Sequence, residues 1–260
     1  MLLVIDVGNT NTVLGIFDGD QLLDDWRIRS NKNMTEDEFN VLVSSLFKEG
    51  GISPDSIKST LISCVVPRMM IILEAFCNKY LGHPPKWVDA ETVAPIMPNL
   101  YGNPSEVGAD RIVNSIAAYD KYNKGLIVID FGTATTFDVI SDKGEYIGGA
   151  ISPGIMIASE ALFAKASKLP RVEIFSKPEA VIGKDTAGSM KSGIIYGYAG
   201  LVDGMVKRIK QDMNCPLTVI ATGGLAPLMS GISETIEIVE GSLTLEGLRL
   251  INNHLIKNSR

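Results

Sequence analysis

Histidine is nearly absent from this chain, with only His83 and His254 among 260 residues. A Ser–His–Asp triad or a His-rich metal centre has little material here. His83 lies in a Gly82–Pro84 turn and His254 on a terminal helical pattern, and both are read as surface or packing residues. Cysteine is scarce too. Cys64, Cys77 and Cys215 are odd in number, far apart and without CxxC spacing. That excludes a disulfide framework and a structural zinc site, and points to a reducing compartment. No run of 18 apolar residues occurs, so no transmembrane helix is expected. The opening MLLVIDVGNT lacks a basic segment and a long apolar core, so no signal peptide is read. Excess positive charge is also missing: 24 basic residues against 30 acidic ones leave a net charge of −6. A general binder of nucleic acid or anionic membrane needs the opposite balance. There is no GxxxxGK[ST] loop, no GxGxxG fingerprint, no HExxH and no GxSxG elbow. The expectation is a soluble cytoplasmic protein with no nucleic-acid or membrane partner.

What is present is ordinary globular material, 45% hydrophobic and 21% charged. At about 150 residues per domain the length allows one large domain or two modest ones. Residues 2–5 form a short unbroken apolar run, as expected for a strand buried on both faces. A turn of small and hydroxyl residues follows, then strands over 13–17 and 22–28. Thr35 and Glu38 have capping-box spacing ahead of a helix that Gly50-Gly51 stops. Residues 61–66 read as a buried strand, 69–80 as a helix ended by Gly82, 86–88 as a short strand and 112–122 as a helix. Further on, 145–151 reads as a strand, 154–166 as a helix, 187–210 as a long helix containing five glycines, 217–220 as a strand and 243–256 as an amphipathic helix. Met69, Met70 and Met156, set among apolar neighbours, are expected in the core.

The pattern repeats. Leu126-Ile127-Val128-Ile129-Asp130-Phe131-Gly132-Thr133-Ala134-Thr135-Thr136 echoes Leu2-Leu3-Val4-Ile5-Asp6-Val7-Gly8-Asn9-Thr10-Asn11-Thr12, 124 residues later. Both copies end a strand on Asp, place Gly two residues on, and resume with an apolar strand. Self-similarity at this distance implies two related α/β halves, with the boundary near residue 118.

These repeats carry the first chemical candidates. A carboxylate closing a buried strand is costly unless backbone donors or a cation compensate it. Gly8 and Gly132 permit tight turns, and Asn9, Thr10, Asn11, Thr133 and Thr135 add donors suited to phosphate oxygens. An Asx turn at each Asp is the plain alternative. A third cluster is Tyr101-Gly102-Asn103-Pro104-Ser105-Glu106-Val107-Gly108-Ala109-Asp110-Arg111, a loop leading into a helix. Asp110 is either the helix N-cap or a general base with Arg111 as an anion clamp. Thr186, beside Asp185 ahead of a helix, is an N-cap candidate on pattern alone. Gly223-Gly224 either admits a flat ligand or makes a βα turn.

The ordered segments Asp6-Val7-Gly8-Asn9-Thr10, Gly108-Ala109-Asp110-Arg111, Asp130-Phe131-Gly132-Thr133-Ala134-Thr135-Thr136 and Thr222-Gly223-Gly224 resemble those of type III pantothenate kinases, a family that includes proteins called Bvg accessory factors. Ser63-Cys64-Val65-Val66-Pro67 and Gly148-Gly149-Ala150-Ile151-Ser152-Pro153-Gly154 are similar to further segments of it. The resemblance implies membership of the acetate and sugar kinase, Hsp70 and actin superfamily. That fold has two ribonuclease-H-like (actin-like ATPase) domains, each a mixed sheet with flanking helices, around a nucleotide cleft. The expected domains are 1–117 and 118–260. The implied reaction is ATP-dependent phosphorylation of the 4′ hydroxyl of pantothenate, the first step of coenzyme A synthesis.

Carried over by residue, the resemblance implies that Asp6, Val7, Gly8, Asn9, Thr10, Asn11, Thr12 and Val13 hold the ATP phosphates and that Thr133 contacts the nucleotide. Asp110 would accept the proton of the attacking hydroxyl. Tyr101, Gly108, Ala109, Asp110, Arg111 and Thr186 would bind pantothenate. Asp130 would ligate a monovalent cation, K⁺ or NH₄⁺, and Asp6 would reach Mg²⁺ directly or through water. A homodimer is implied as well. The alternatives are a kinase of another small hydroxylated substrate, and a non-catalytic nucleotide-binding regulatory factor that would have no need of Asp110.

Overall fold

Residues 1–166 and 168–258 are described by the structure, a computed structural model. In chain order the first elements are β1 (Leu2–Val7), β2 (Asn11–Asp18), β3 (Gln21–Arg29), α1 (Glu36–Glu49), β4 (Ser59–Cys64), α2 (Pro67–Phe76), β5 (Lys86–Trp87), α3 (Ala90–Val93) and α4 (Ala109–Tyr122). They are followed by β6 (Leu126–Phe131), β7 (Ala134–Ile140), β8 (Tyr146–Pro153), α5 (Ile155–Lys165), α6 (Thr186–Met213), β9 (Thr218–Thr222), α7 (Ala226–Ser230), β10 (Ile238–Val239) and α8 (Leu243–Asn258). The chain divides into two units, Met1–Ala117 with Leu243–Arg260, and Ala118–Ser242. The division falls within α4.

The first unit carries a mixed sheet in the order β3-β2-β1-β4-β5. The central strand β1 pairs antiparallel with β2 and parallel with β4. Its residues are buried except for the half-buried Asp6, as an unbroken apolar run requires. At the edge, β3 alternates between exposed and half-buried positions. One face of the sheet, with Leu3, Ile5, Leu14, Ile16 and Ile62, packs against Phe39, Val43 and Phe47 of α1 and Met69, Leu73 and Phe76 of α2. Phe39 meets Phe76 edge to face at 5.0 Å. The capping box read at Thr35 is present: Thr35 Oγ1 accepts the Glu38 N–H at 3.2 Å, and Glu38 Oε2 accepts the Thr35 N–H at 2.8 Å. The helix expected over 69–80 is α2 followed by a wider turn over Cys77–Leu81, which Gly82 ends at φ +71°. His83 is a packing residue, its ring nitrogens lying 3.0 Å from Thr60 Oγ1 and 3.1 Å from the Leu81 carbonyl.

The opposite face of this sheet is covered by α8, against the expectation that residues 118–260 form one C-terminal domain. The amphipathic pattern shows that α8 buries Leu245, Leu248 and Ile251, but says nothing of which sheet receives them. Here they meet the first sheet. A Cβ added at Gly15 of β2 would lie 3.1 Å from both Leu245 and Val4. Asn252 Oδ1 accepts the Ser59 hydroxyl at 3.1 Å, and Thr244 Oγ1 donates to Asn114 Oδ1 at 2.7 Å. Gly247 lets α8 lie directly on α4: an added Cβ would stand 2.7 Å from Val113 Cγ1 and closer still to its carbonyl oxygen.

The second unit repeats the topology, with its sheet ordered β10-β9-β6-β7-β8. Here β6 takes the part of β1, antiparallel to β7 and parallel to β9. Its burial pattern is identical to that of β1, with Asp130 as the half-buried position. One face packs Ile127, Ile129, Phe137, Val139 and Val219 against Ile195, Val202 and Val206 of α6. The five glycines leave α6 one continuous helix of 28 residues. The two units thus have the ribonuclease-H-like arrangement, each a five-stranded mixed sheet with flanking helices. Of the methionines expected in the core, Met69 is buried, whereas Met70 and Met156 are exposed on the outer faces of α2 and α5. No helix among the described residues is long and apolar enough to cross a membrane.

The Gly247 contact gives the first prediction. Gly247→Ala forces α8 off α4 and is expected to cost about 1–3 kcal/mol, as overpacking typically does. Urea unfolding of the two proteins, read as a lower midpoint at unchanged slope, measures it.

Candidate active site

Asp6 sits one residue before the end of β1, facing Val13 on β2 and Ser63 on β4. The chain then turns through Gly8, Asn9 and Thr10, with the Gly8 N–H donating to the Asn11 carbonyl at 2.9 Å. Ser30 locks this turn from the neighbouring strand. Its hydroxyl donates to the Gly8 carbonyl at 2.7 Å and lies 2.9 Å from the buried Thr12 hydroxyl, and its N–H donates to the Thr10 carbonyl at 3.0 Å. Asn9 and Thr10 are held at the surface on a fixed backbone. The buried Ser63 hydroxyl, beside Asp6 in the register, has no hydrogen-bond partner among the described residues. Sequence reasoning missed Ser30 as the clamp, because a lone Ser after a strand carries no signal.

In the second unit a turn one residue shorter follows Asp130. The Gly132 N–H donates to the Ala134 carbonyl at 3.1 Å. Gly223, at φ +89°, closes over the carboxylate, and a Cβ there would stand 2.5 Å from Asp130 Oδ1. Gly223 is therefore a close-approach residue as well as a βα turn. Gly154 presses on the same loop: its N–H donates to the Thr133 carbonyl at 3.1 Å, and a Cβ would fall 2.7 Å from the Gly132 carbonyl. Thr133 is exposed at the tip of this turn. Thr186 is the first residue of α6. Asp185 is its N-cap, accepting the Gly188 N–H at 2.7 Å, so Thr186 is not the cap that its position suggests.

The third cluster belongs to the first unit. Gly108 precedes α4, and its carbonyl accepts the Arg111 N–H at 3.1 Å and the Ile112 N–H at 3.4 Å. Asp110 therefore stands inside the first turn of α4, where the helix start favours an anion, and does not cap it. Its Oδ1 accepts the Arg111 N–H at 2.9 Å, and a Cβ at Gly108 would intrude to 2.6 Å from that oxygen. Arg111 is buried beside it, at 9% exposure. Burial holds the Asp110 carboxyl above the usual carboxylate range, against the opposing pull of the Arg111 N–H and guanidinium. Tyr101 is exposed on the preceding loop.

Gly108 and Ala109 open onto a cavity of about 570 Å³ within this unit, lined also by Cys64, Val65, Val88, Val93, Asn99, Glu106 and Ile112. Burial raises the Cys64 thiol pKa, a shift the Val66 backbone opposes and the Asp6 carboxylate reinforces. Buried Cys77 is pushed up to about 12, again by desolvation. Both thiols are kept from acting as nucleophiles near neutral pH. The cavity had no sequence signal, since its walls come from four separate segments.

The position of Asp110 has a measurable consequence for stability. Its carboxyl is raised in the native state, so that state binds the extra proton between the ordinary carboxylate range and the raised value. Stability therefore falls as pH rises through that window, and the penalty persists above it. Asp110→Asn removes the penalty. Its melting temperature is expected to exceed that of the parent at pH 7, with the difference vanishing below about pH 3.8, the ordinary value. Thermal unfolding across pH 3–7.5 measures this, and no gain at neutral pH would contradict the desolvated carboxylate.

Comparison with known proteins identifies the family. The sequence profile of type III pantothenate kinase matches residues 2–208. The type III pantothenate kinase of Desulfatibacillum aliphaticivorans is 67% identical over 251 residues, covering 96% of this chain and 97% of that protein. Among solved structures, one assigned to the Baf family of transcriptional activators, from Campylobacter jejuni, superposes with a TM-score of 0.61 at 16% identity, covering 98% of this chain and 99% of that one. The activator of 2-hydroxyisocaproyl-CoA dehydratase from Clostridium difficile gives 0.51 at 13% identity, over 99% and 97% of the two chains. At these identities the structures speak for the fold, and the sequence matches speak for the family. The chain belongs to the type III pantothenate kinase family.

Proposed function

We propose that this chain transfers the γ-phosphoryl group of ATP to the primary hydroxyl of pantothenate, with Asp110 as the general base. The observation that carries this reading is the desolvated Asp110 carboxylate, fixed by the Arg111 N–H where α4 meets the cavity. Phosphoryl transfer through a loose transition state asks for alignment and charge stabilisation and needs no covalent nucleophile. As the substrate oxygen bonds to phosphorus, its O–H bond breaks and the proton passes to Asp110, while the bond from the γ-phosphorus to the bridging oxygen breaks and ADP leaves. A base with a raised pKa suits this task, and such assistance is worth about 10²–10⁴-fold. Arg111 pairs with an anionic oxygen of the substrate. Tyr101, Gly108, Ala109 and Thr186 complete the pantothenate contacts.

The turn from Asp6 to Val13 offers its N–H groups and the Asn9 and Thr10 side chains to the ATP phosphates, and Thr133 contacts the nucleotide. A divalent metal accompanies ATP in kinases generally. Asp6, a carboxylate at the end of β1, fits Mg²⁺, and Asp130, against which Gly223 closes, fits K⁺ or NH₄⁺. When bound, these cations offset the charge where carboxylates and triphosphate crowd together. A homodimer is part of the reading. Among the residues of α5 only Ile155 and Ser159 are buried, whereas Met156, Ile157, Leu162 and Phe163 are exposed. Exposed apolar surface of this kind on one helix supports an interface with a second copy.

Two expectations test this. In a coupled ADP-release assay with ATP and Mg²⁺, pantothenate should stimulate ADP formation in K⁺ and much less in Na⁺. Asp110→Ala should lower kcat by about 10²–10⁴-fold without unfolding the protein. Near-normal turnover in folded Asp110→Ala removes the general base, and equal rates in the two salts remove the monovalent cation. For the dimer, Phe163→Glu with Ile157→Glu should shift the light-scattering mass from two chains to one, and a monomeric parent would contradict the interface.

A further inference from the structure

None of Tyr101, Asp110 and Arg111 lines the cavity onto which Gly108 and Ala109 open. Helix geometry explains this. Ala109 and Ile112, one turn apart on α4, both line it. At about 100° per residue, Asp110 and Arg111 fall on the other side of the helix. The cavity therefore lies behind the first turn of α4, and the proposed reaction makes no use of it.

Its walls are of two kinds. Val65, Val88, Val93 and Ile112 give an apolar inner surface, the last three buried. Toward solvent stand the exposed carboxylates of Asp89, Glu91 and Glu106. Asp89 Oδ1 accepts the Thr92 N–H at 2.8 Å, and Glu106 Oε1 accepts the Asn103 side-chain NH₂ at 2.9 Å. Both are held in place with a second oxygen to spare. Among the described residues, no Lys, Arg or His lines this space.

Close-packed interiors leave few voids larger than a water molecule, whereas about 570 Å³ lies in the range of small-molecule sites. Three carboxylates above apolar walls concentrate negative potential, which repels an anion and attracts a cation. The inner wall favours hydrocarbon. One chemical class meets both demands, a small ammonium ion carrying a branched hydrocarbon group.

We infer that this cavity is an accessory binding site for a small amphipathic amine. Its hydrocarbon lies against Val65, Val88, Val93 and Ile112, and its ammonium group among Asp89, Glu91 and Glu106. The occupant touches Gly108 and Ala109 from the side opposite Asp110. The site is separate from the one assigned to pantothenate and does not depend on that reading.

Amide NMR titration of the deuterated, ¹⁵N-labelled protein with 3-methylbutylammonium tests it, with 3-methylbutan-1-ol and 4-methylpentanoate as neutral and anionic controls at equal ionic strength. The amine should shift Gly108, Ala109 and Ile112 with a Kd on the order of 1 mM, as suits so small a ligand. The alcohol should bind about tenfold more weakly and the acid not at all. Ala90→Leu, which fills the cavity from its wall, should abolish the shifts. Glu91→Gln, an exposed change, should weaken the amine about threefold and leave the alcohol unaltered. Saturating pantothenate should leave the amine in place. Equal affinity for amine and alcohol overturns the charge assignment. No binding, shifts centred elsewhere, parental binding by Ala90→Leu or displacement by pantothenate overturns the site. If Ala90→Leu does not fold, Glu91→Gln decides, and parental amine binding by it overturns the proposal.

Discussion

A carboxylate placed at the end of a strand buried on both faces must be compensated locally, because water reaches it from one side only. Asp6 and Asp130 stand at the same place in two sheets, and the turns that follow them are held by different means. Each is followed by a short turn that returns directly into an antiparallel strand. In the first unit Ser30 reaches across from β3 to hold the turn's carbonyl groups. In the second, Gly154 and Gly223 bring two further backbone segments against it. The answers differ although the problem is shared, which is what two copies of one motif look like after their surroundings have diverged.

Asp110 is handled differently. It lies in the first turn of a helix rather than at a strand end, and Gly108, two residues earlier, keeps space for its carboxylate. The result is a carboxylate that is sterically fixed yet poorly solvated, a combination that costs stability. Positions of this kind are costly to keep in a fold without a function.

Most of the fold was legible because the rules that make it are local. Unbroken apolar runs gave β1, β4 and β6, the Thr35 capping box opened α1, and the repeat at Asp6 and Asp130 announced two related sheets. What stayed hidden depended on partners far along the chain. An amphipathic helix declares that it has a buried face without declaring its host, so α8 was assigned to the wrong unit. Met156 resembled a core residue because exposure is decided by what covers α5, and composition does not record that. The repeat aspartates, Asp110 and Arg111 stood out by motif, whereas Ser30 did not. Its role rests on hydrogen bonds to the Gly8 and Thr10 carbonyls and a contact with the Thr12 hydroxyl, which a lone Ser in the sequence does not announce.

The return of α8 to the first sheet makes that unit discontinuous in sequence, with the whole second unit spliced into it. During synthesis residues 1–117 precede the second unit, and the helix that covers one face of β1 and β4 follows it. The second unit is contiguous and holds every strand of its own sheet, so it has all it needs while the first still exposes apolar surface. A ribosome-bound chain would thus pass through a period in which its interior insertion is sound and its flanks are adhesive, the condition under which holding chaperones engage.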